Sequence, residues 1–193
     1  MKYTMGFRIW HWLNAIVILG LLGTVFLRKT FLSWRTNSEI IMTKLTDMGA
    51  DIFKEDAIVI AKAIRGEMWQ WHLILGYALL AMLLFRVALF FFDKSQKDEF
   101  NSLTTHKKGV KISYYIVYAT IIFITVSGFA VYLHEELELS QELTKQIKNL
   151  HELSYNVFLV FVPLHIIGVF VADAKDEHGL ISTMVNGKTK ENF

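Results

Sequence analysis

The sequence predicts an all-α integral membrane protein: a single domain over 1–193 built as a four-transmembrane-helix bundle. Two observations carry this. Of 193 residues, 53% are hydrophobic and only 20% are charged. The apolar residues also gather into four long runs, each close to the ~20 residues that cross a bilayer as a helix. A water-facing globular surface does not fit that distribution.

The first span runs roughly from Ile9 to Leu27, the second from Trp69 to Phe92, the third from Ile112 to Leu133 and the fourth from His151 to Ala172. Lys2 and Arg8 ahead of an apolar stretch resemble the start of a signal peptide. No small-x-small cleavage site follows, and Arg28-Lys29 closes the run, so the segment reads as a retained helix. Trp10, Trp12, Trp69 and Trp71 lie at span edges and fit interfacial belts. Two connections carry helical patterns. Residues 51–66 hold Phe53, Ala57, Ile60, Ala61 and Ile64 at helical spacing, with Gly66 as a C-cap. That segment reads as a surface helix or a docking element. Residues 140–150 place Leu143, Ile147 and Leu150 on one face and run toward the fourth span.

Charge sets the expected orientation. Segments 1–8, 93–111 and 173–193 are denser in Lys and Arg than 28–68 and 134–150. Lys107, Lys108 and Lys111 at one end of the third span oppose Glu135, Glu136 and Glu138 at the other. Both termini are therefore expected in the cytoplasm. A net charge of +2 from twenty basic and eighteen acidic residues gives no nucleic-acid signature. With no Cys, disulfides, Cys-ligated zinc, iron–sulfur clusters and covalently attached c-type haem are excluded.

Four of the seven histidines fall in or at the ends of the apolar runs: His11, His72, His151 and His165. Ionisable groups at membrane depth are costly and usually functional. One such histidine alone could equally be a packing residue. Four at matched depths shift the balance. Fourteen residues separate His151 from His165, which is ~21 Å along a helix and within ~40° of one face. Successive spans alternate in direction, so His11 shares the inner level with His165, and His72 shares the outer level with His151. Two bis-histidine levels suit iron porphyrin, because haem b takes two axial imidazoles and needs no Cys. Zinc or copper would ordinarily need three or four protein ligands. His106, His134 and His178 lie in polar segments and read as solvated loop residues.

Small and basic residues fill in the picture. Gly76 lies four after His72, and Gly168 lies three after His165, each on its ligand's face where a flat ring could approach. Gly20, Gly23 and Gly128 fit ordinary close helix packing at least as well. Arg86, fourteen after His72, reaches the inner level; it suits either a haem propionate or snorkelling to the interface. Arg8 has the same two readings. Pro163 lies two before His165 and would kink the fourth span locally.

The pieces Arg8-Ile-Trp-His11-Trp, Trp71-His72 with Gly76 and Arg86, His151 with His165, and the tail Gly179-Leu-Ile-Ser-Thr-Met184-Val-Asn-Gly187 resemble the bacterial cytochrome b561 family. That family is related to the b-type cytochrome subunit of nickel–iron hydrogenases, and the resemblance covers essentially the whole chain. It implies a four-helix di-haem membrane cytochrome exchanging electrons with the quinone pool, and it assigns the same four histidines as iron ligands. It also implies an outer-face redox partner, such as a hydrogenase or a periplasmic cytochrome. The long connection 28–68 departs from the shortest members.

The expected function is electron transfer across the bilayer between an outer-face partner and quinone, through two non-covalent haem b groups. Two other readings stand beside it. One is a His-based transporter of metal ions or protons. Against it, the spans hold no Asp or Glu beyond Glu152 at an edge. The other is a membrane anchor that docks a soluble oxidoreductase through residues 51–66. Association into an oligomer is compatible with each reading.

Overall fold

The computed structural model describes residues 3–92, 103–175 and 177–187. Lys2, residues 93–102 of the basic connection and residues 188–193 of the tail, all used in the orientation argument, lie outside the described residues. Six helices follow one another: α1 (Met5–Lys29), α2 (Trp34–Asp47), α3 (Lys54–Phe92), α4 (Thr105–Tyr132), α5 (Gln141–Lys175) and α6 (Leu180–Asn186). The described residues contain no strand. Helices α1, α3, α4 and α5 are long and apolar enough to cross a membrane. Hydrocarbon offers the backbone no hydrogen-bond partner, and a helix satisfies its own. Side chains such as Ile16, Leu84, Val126 and Phe170 stay exposed on these helices, as an apolar solvent permits.

The chain divides into two compact units, Met1–Asn14 with Leu80–Phe193 and Ala15–Leu79. In the first, α4 packs along α5, and α6 packs against α5. Thr104 caps α4, its side chain accepting from the Lys107 N–H at 3.4 Å. Asp173 of α5 accepts from the Ile181 N–H at 3.0 Å, which supplies a partner for an otherwise orphaned donor in the first turn of α6. Lys107 pairs with Glu177 at 3.2 Å, tying the start of α4 to the α5–α6 link. Beside that pair, burial first and the Glu177 carboxylate second push the Tyr3 phenol above its ordinary range.

The second unit holds most of the long connection. The sequence patterns did not single out α2, which ends in a Schellman motif. Gly49 takes φ 78°, the Ala50 N–H reaches Leu45 O at 2.9 Å, and the Gly49 N–H reaches Thr46 O at 2.9 Å. Lys62 of α3 lies 5.6 Å from the Trp34 ring centroid, a cation–π contact to the start of α2.

Two expectations are corrected. Residues 51–66 are not a separate helix closed by Gly66; α3 is one helix of 39 residues from Lys54 to Phe92, and Gly66 is not among the glycines with positive φ. Ala57, Ala61 and Met68 are buried and lie within ~40° of one face. That stripe continues on both sides of Gly66, which lies on the opposite face, and a single helical glycine costs only about 1 kcal/mol against alanine. Trp10 is also not a lipid-facing belt residue. It is 6% exposed, and its Nε1–H donates to Met82 O at 2.8 Å. By contrast, the helix expected over 140–150 does run without a break into the fourth span as α5.

A Cβ added at Gly66 meets nothing within 4 Å. Gly66→Ala should therefore raise stability by about 0.5–1 kcal/mol through lower backbone entropy in the unfolded chain. Thermal unfolding of the detergent-solubilised protein followed by circular dichroism reads this out; a C-cap glycine would give a loss instead.

Candidate functional site

Within the first unit, the beginning of α1, the end of α3, the beginning of α4 and the middle of α5 bring their functional side chains together. His11 and His165 face each other with ring centroids 6.1 Å apart and planes at 55°. Each ring is oriented by aromatic neighbours. Phe161, one turn before His165 on α5, stacks on it at 5.4 Å and 17°. Tyr114 of α4 meets His165 edge-on at 6.2 Å, and Trp12 meets His11 edge-on at 5.4 Å. Among the described residues neither ring makes a hydrogen bond.

That separation tests the fit of a metal. An ion held between two imidazole nitrogens at about 2.0 Å per bond sets the ring centroids about 6 Å apart. The spacing of His11 and His165 matches it. Among the described residues no group of three or more His, Cys, Asp or Glu side chains could hold a metal ion. A two-imidazole site thus suits an iron whose equatorial positions a porphyrin fills.

Arg86 of α3 lies in an aromatic cage. Its guanidinium carbon is 5.3 Å from the Phe7 ring centroid, 5.4 Å from that of Trp10 and 5.5 Å from that of Tyr118. Its Nε–H donates to the Tyr118 hydroxyl at 3.2 Å. Ring faces offset part of the cost of holding a cation among apolar groups. Among the described residues no carboxylate pairs with Arg86 in this cage, which suits an anionic group on a ligand.

Arg8 makes a contact that neither of its sequence readings named. Its Nη2–H donates to Val185 O at 2.7 Å and its Nε–H to Met184 O at 3.3 Å. Trp12 Nε1–H reaches Met184 O at 3.3 Å as well. The last carbonyls of a helix lack intrahelical donors and carry partial negative charge, so a cation settles there. Gly187 caps α6 at φ 78°, and a Cβ at that position would run into Arg8 Nη1.

The other two histidines are held by hydroxyls. In the second unit, His72 Nδ1 lies 2.8 Å from Thr24 Oγ1, and Trp69 meets the ring edge-on at 5.4 Å. In the first unit, His151 Nδ1 lies 3.0 Å from Ser127 Oγ. Neither hydroxyl was visible as a site residue in the sequence, because Ser and Thr commonly bond back to their own helix and carry no pattern of their own. Gly128 has a specific neighbour too: a Cβ there would lie 3.0 Å from His151 Cε1. Gly76 and Gly168 have no protein atom near the Cβ position. No protein contact therefore demands glycine at either. His134 and His178 bond locally to the Val131 and Asp173 carbonyls at 3.0 and 2.9 Å, and His106 is exposed.

Gly128→Ala should cost about 1–3 kcal/mol, the usual range for overpacking, because the His151 ring must give way. Gly23→Ala, with nothing within 4 Å of its Cβ, should be neutral or stabilising. Parallel thermal unfolding of the two variants checks the contrast; equal effects would show that the His151 contact imposes no packing constraint.

No curated protein and no solved structure gives a significant match to this chain. The prokaryotic cytochrome b561 family does match, over residues 2–187. That covers nearly all of the 193 residues. Together with its four membrane-spanning helices, the match shows that the chain belongs to the prokaryotic cytochrome b561 family, as a multi-pass membrane b-type cytochrome of electron transfer.

Proposed function

We propose that this cytochrome holds two haem b groups and carries electrons across a bacterial inner membrane between an outer-face redox protein and quinone. His11 and His165 would ligate the inner iron, and His72 and His151 the outer one. The observation that carries the reading is the His11–His165 pair at 6.1 Å, with the ring contacts that orient it. Haem, when bound, supplies a one-electron couple at each level. Two imidazoles per iron leave no open coordination position, which favours electron transfer over oxygen chemistry.

The remaining roles belong to side chains of this chain. Phe161 and Tyr114 orient the His165 ring, and Trp12 orients the His11 ring. Arg86, held by its three aromatic rings, would offer its charge to a propionate. The open space beside Gly76 and Gly168 supports their assignment as positions where a flat ring approaches. The fourteen-residue interval on α5 spaces the levels by ~21 Å. The basic density of the segments at the inner side supports cytoplasmic termini. Residues 28–68 and 134–150 then face the outer partner.

Purified wild type should carry about two haems per chain, as two ligand pairs require. His165→Ala and His72→Ala should each retain about one. Haem extraction with quantitation per chain, alongside a reduced-minus-oxidised visible spectrum, measures this. Variants that each keep both haems would overturn the ligand assignment.

A further inference from the structure

The two histidine levels differ in how the second ring nitrogen is treated. At the inner level, His11 and His165 make ring contacts and, among the described residues, no hydrogen bond. His72 and His151 instead each meet a buried hydroxyl through Nδ1. Thr24 is 6% exposed and Ser127 3%, so neither bond is shared with bulk solvent.

The direction of these bonds follows from counting hydrogens. A hydroxyl has one hydrogen and two lone pairs. Thr24 Oγ1–H donates to Leu21 O at 2.7 Å, and Ser127 Oγ–H donates to Phe123 O at 2.7 Å. Each carbonyl can only accept. With each hydroxyl hydrogen kept on its own helix carbonyl, each oxygen accepts from the imidazole. In that arrangement the proton sits on Nδ1 of both rings and the lone pair on Nε2. That is the tautomer in which Nε2 can ligate a metal.

We propose that Thr24 and Ser127 are positioning residues for His72 and His151: each fixes the Nδ1–H tautomer of its imidazole and, by accepting that hydrogen, makes Nε2 a stronger donor to iron and the outer couple more reducing. This rests on the haem-ligand reading above. An accepted Nδ1–H bond raises ligand basicity, and a more basic imidazole favours ferric over ferrous iron. The inner pair has no such acceptor among the described residues. Other things equal, the outer couple then lies below the inner one, and electrons entering at the outer face run downhill toward His11 and His165. One electron moves, and the Nδ1 proton stays in place.

The test is a redox titration of purified, haem-loaded protein, followed optically at both haems and by electron paramagnetic resonance of the ferric state. The variants are Thr24→Val, Ser127→Ala and Thr24→Ser, with Thr125→Val as control. Thr125 is a buried hydroxyl of α4 that bonds only back to Ile121 O, at 2.7 Å. Thr24→Val and Ser127→Ala should each shift the outer oxidised-to-reduced ratio at a fixed potential about threefold to tenfold toward reduced. Tenfold corresponds to about 59 mV for a one-electron couple. The inner couple should not move, the ferric signal of the outer haem alone should change, and Thr24→Ser should restore the wild-type value. If Thr24→Val loads too little haem to titrate, Ser127→Ala and Thr24→Ser carry the measurement. Unchanged outer potentials, equal movement of both couples, or the same shift in Thr125→Val would overturn the proposal. A wild type without haem would overturn the ligand reading as well; a loaded wild type with unresponsive variants would overturn this inference alone.

Discussion

Hydrocarbon gives an imidazole nothing to bond with, and much of the arrangement around the four span histidines answers that constraint. A polar group buried without a partner costs several kcal/mol. The chain meets the cost in two ways. One pair of rings is set 6.1 Å apart at a tilt of 55° and flanked by Phe161, Tyr114 and Trp12. The other two rings are each assigned a hydroxyl that is itself anchored to a helix carbonyl. In neither case do the described residues supply enough ligands for a bare metal ion. That is why a cofactor with its own equatorial donors fits this family member.

The two arginines show how position decides the use of one side-chain type. Arg86 cannot leave the apolar region without abandoning Phe7, Trp10 and Tyr118, so its charge is held by ring faces and a phenol. Arg8, three residues into α1, finds the open carbonyls of α6 within reach and binds them directly. An Arg-to-Lys exchange would be disruptive at both places. An ammonium has no planar face to stack in the cage, and no fork with which to span two adjacent carbonyls.

Hydropathy made the spans legible, because a run of ~20 apolar residues has few other uses. It also made the histidines conspicuous, since polar rings stand out against such runs. What stayed hidden was short, or depended on distant residues. Helix α2 mixes polar and apolar residues and is closed by Gly49 through backbone geometry rather than by a hydrophobic stripe. Gly66 looked like a stop because glycine often is one; burial of Ala57, Ala61 and Met68 on one face overrides it. Trp10 shared its sequence signature with belt tryptophans, and only the Met82 carbonyl, 72 residues away, distinguishes it. Thr24 and Ser127 could not be separated from any other back-bonded hydroxyl until the imidazoles were placed beside them.

The latch between Arg8 and α6 bears on how such a chain is made. Its hydrogen bonds join residues 176 and 177 positions apart. A membrane protein is threaded from its N-terminus, so the first helix is in place long before the last carbonyls exist. Until then the α1 end carrying His11 lacks both its histidine partner on α5 and its anchor at Val185. The His11–His165 contact and its anchor are therefore complete only once α6 has been made. Truncation of even the last turn of α6 would act as an assembly defect at the opposite end of the sequence.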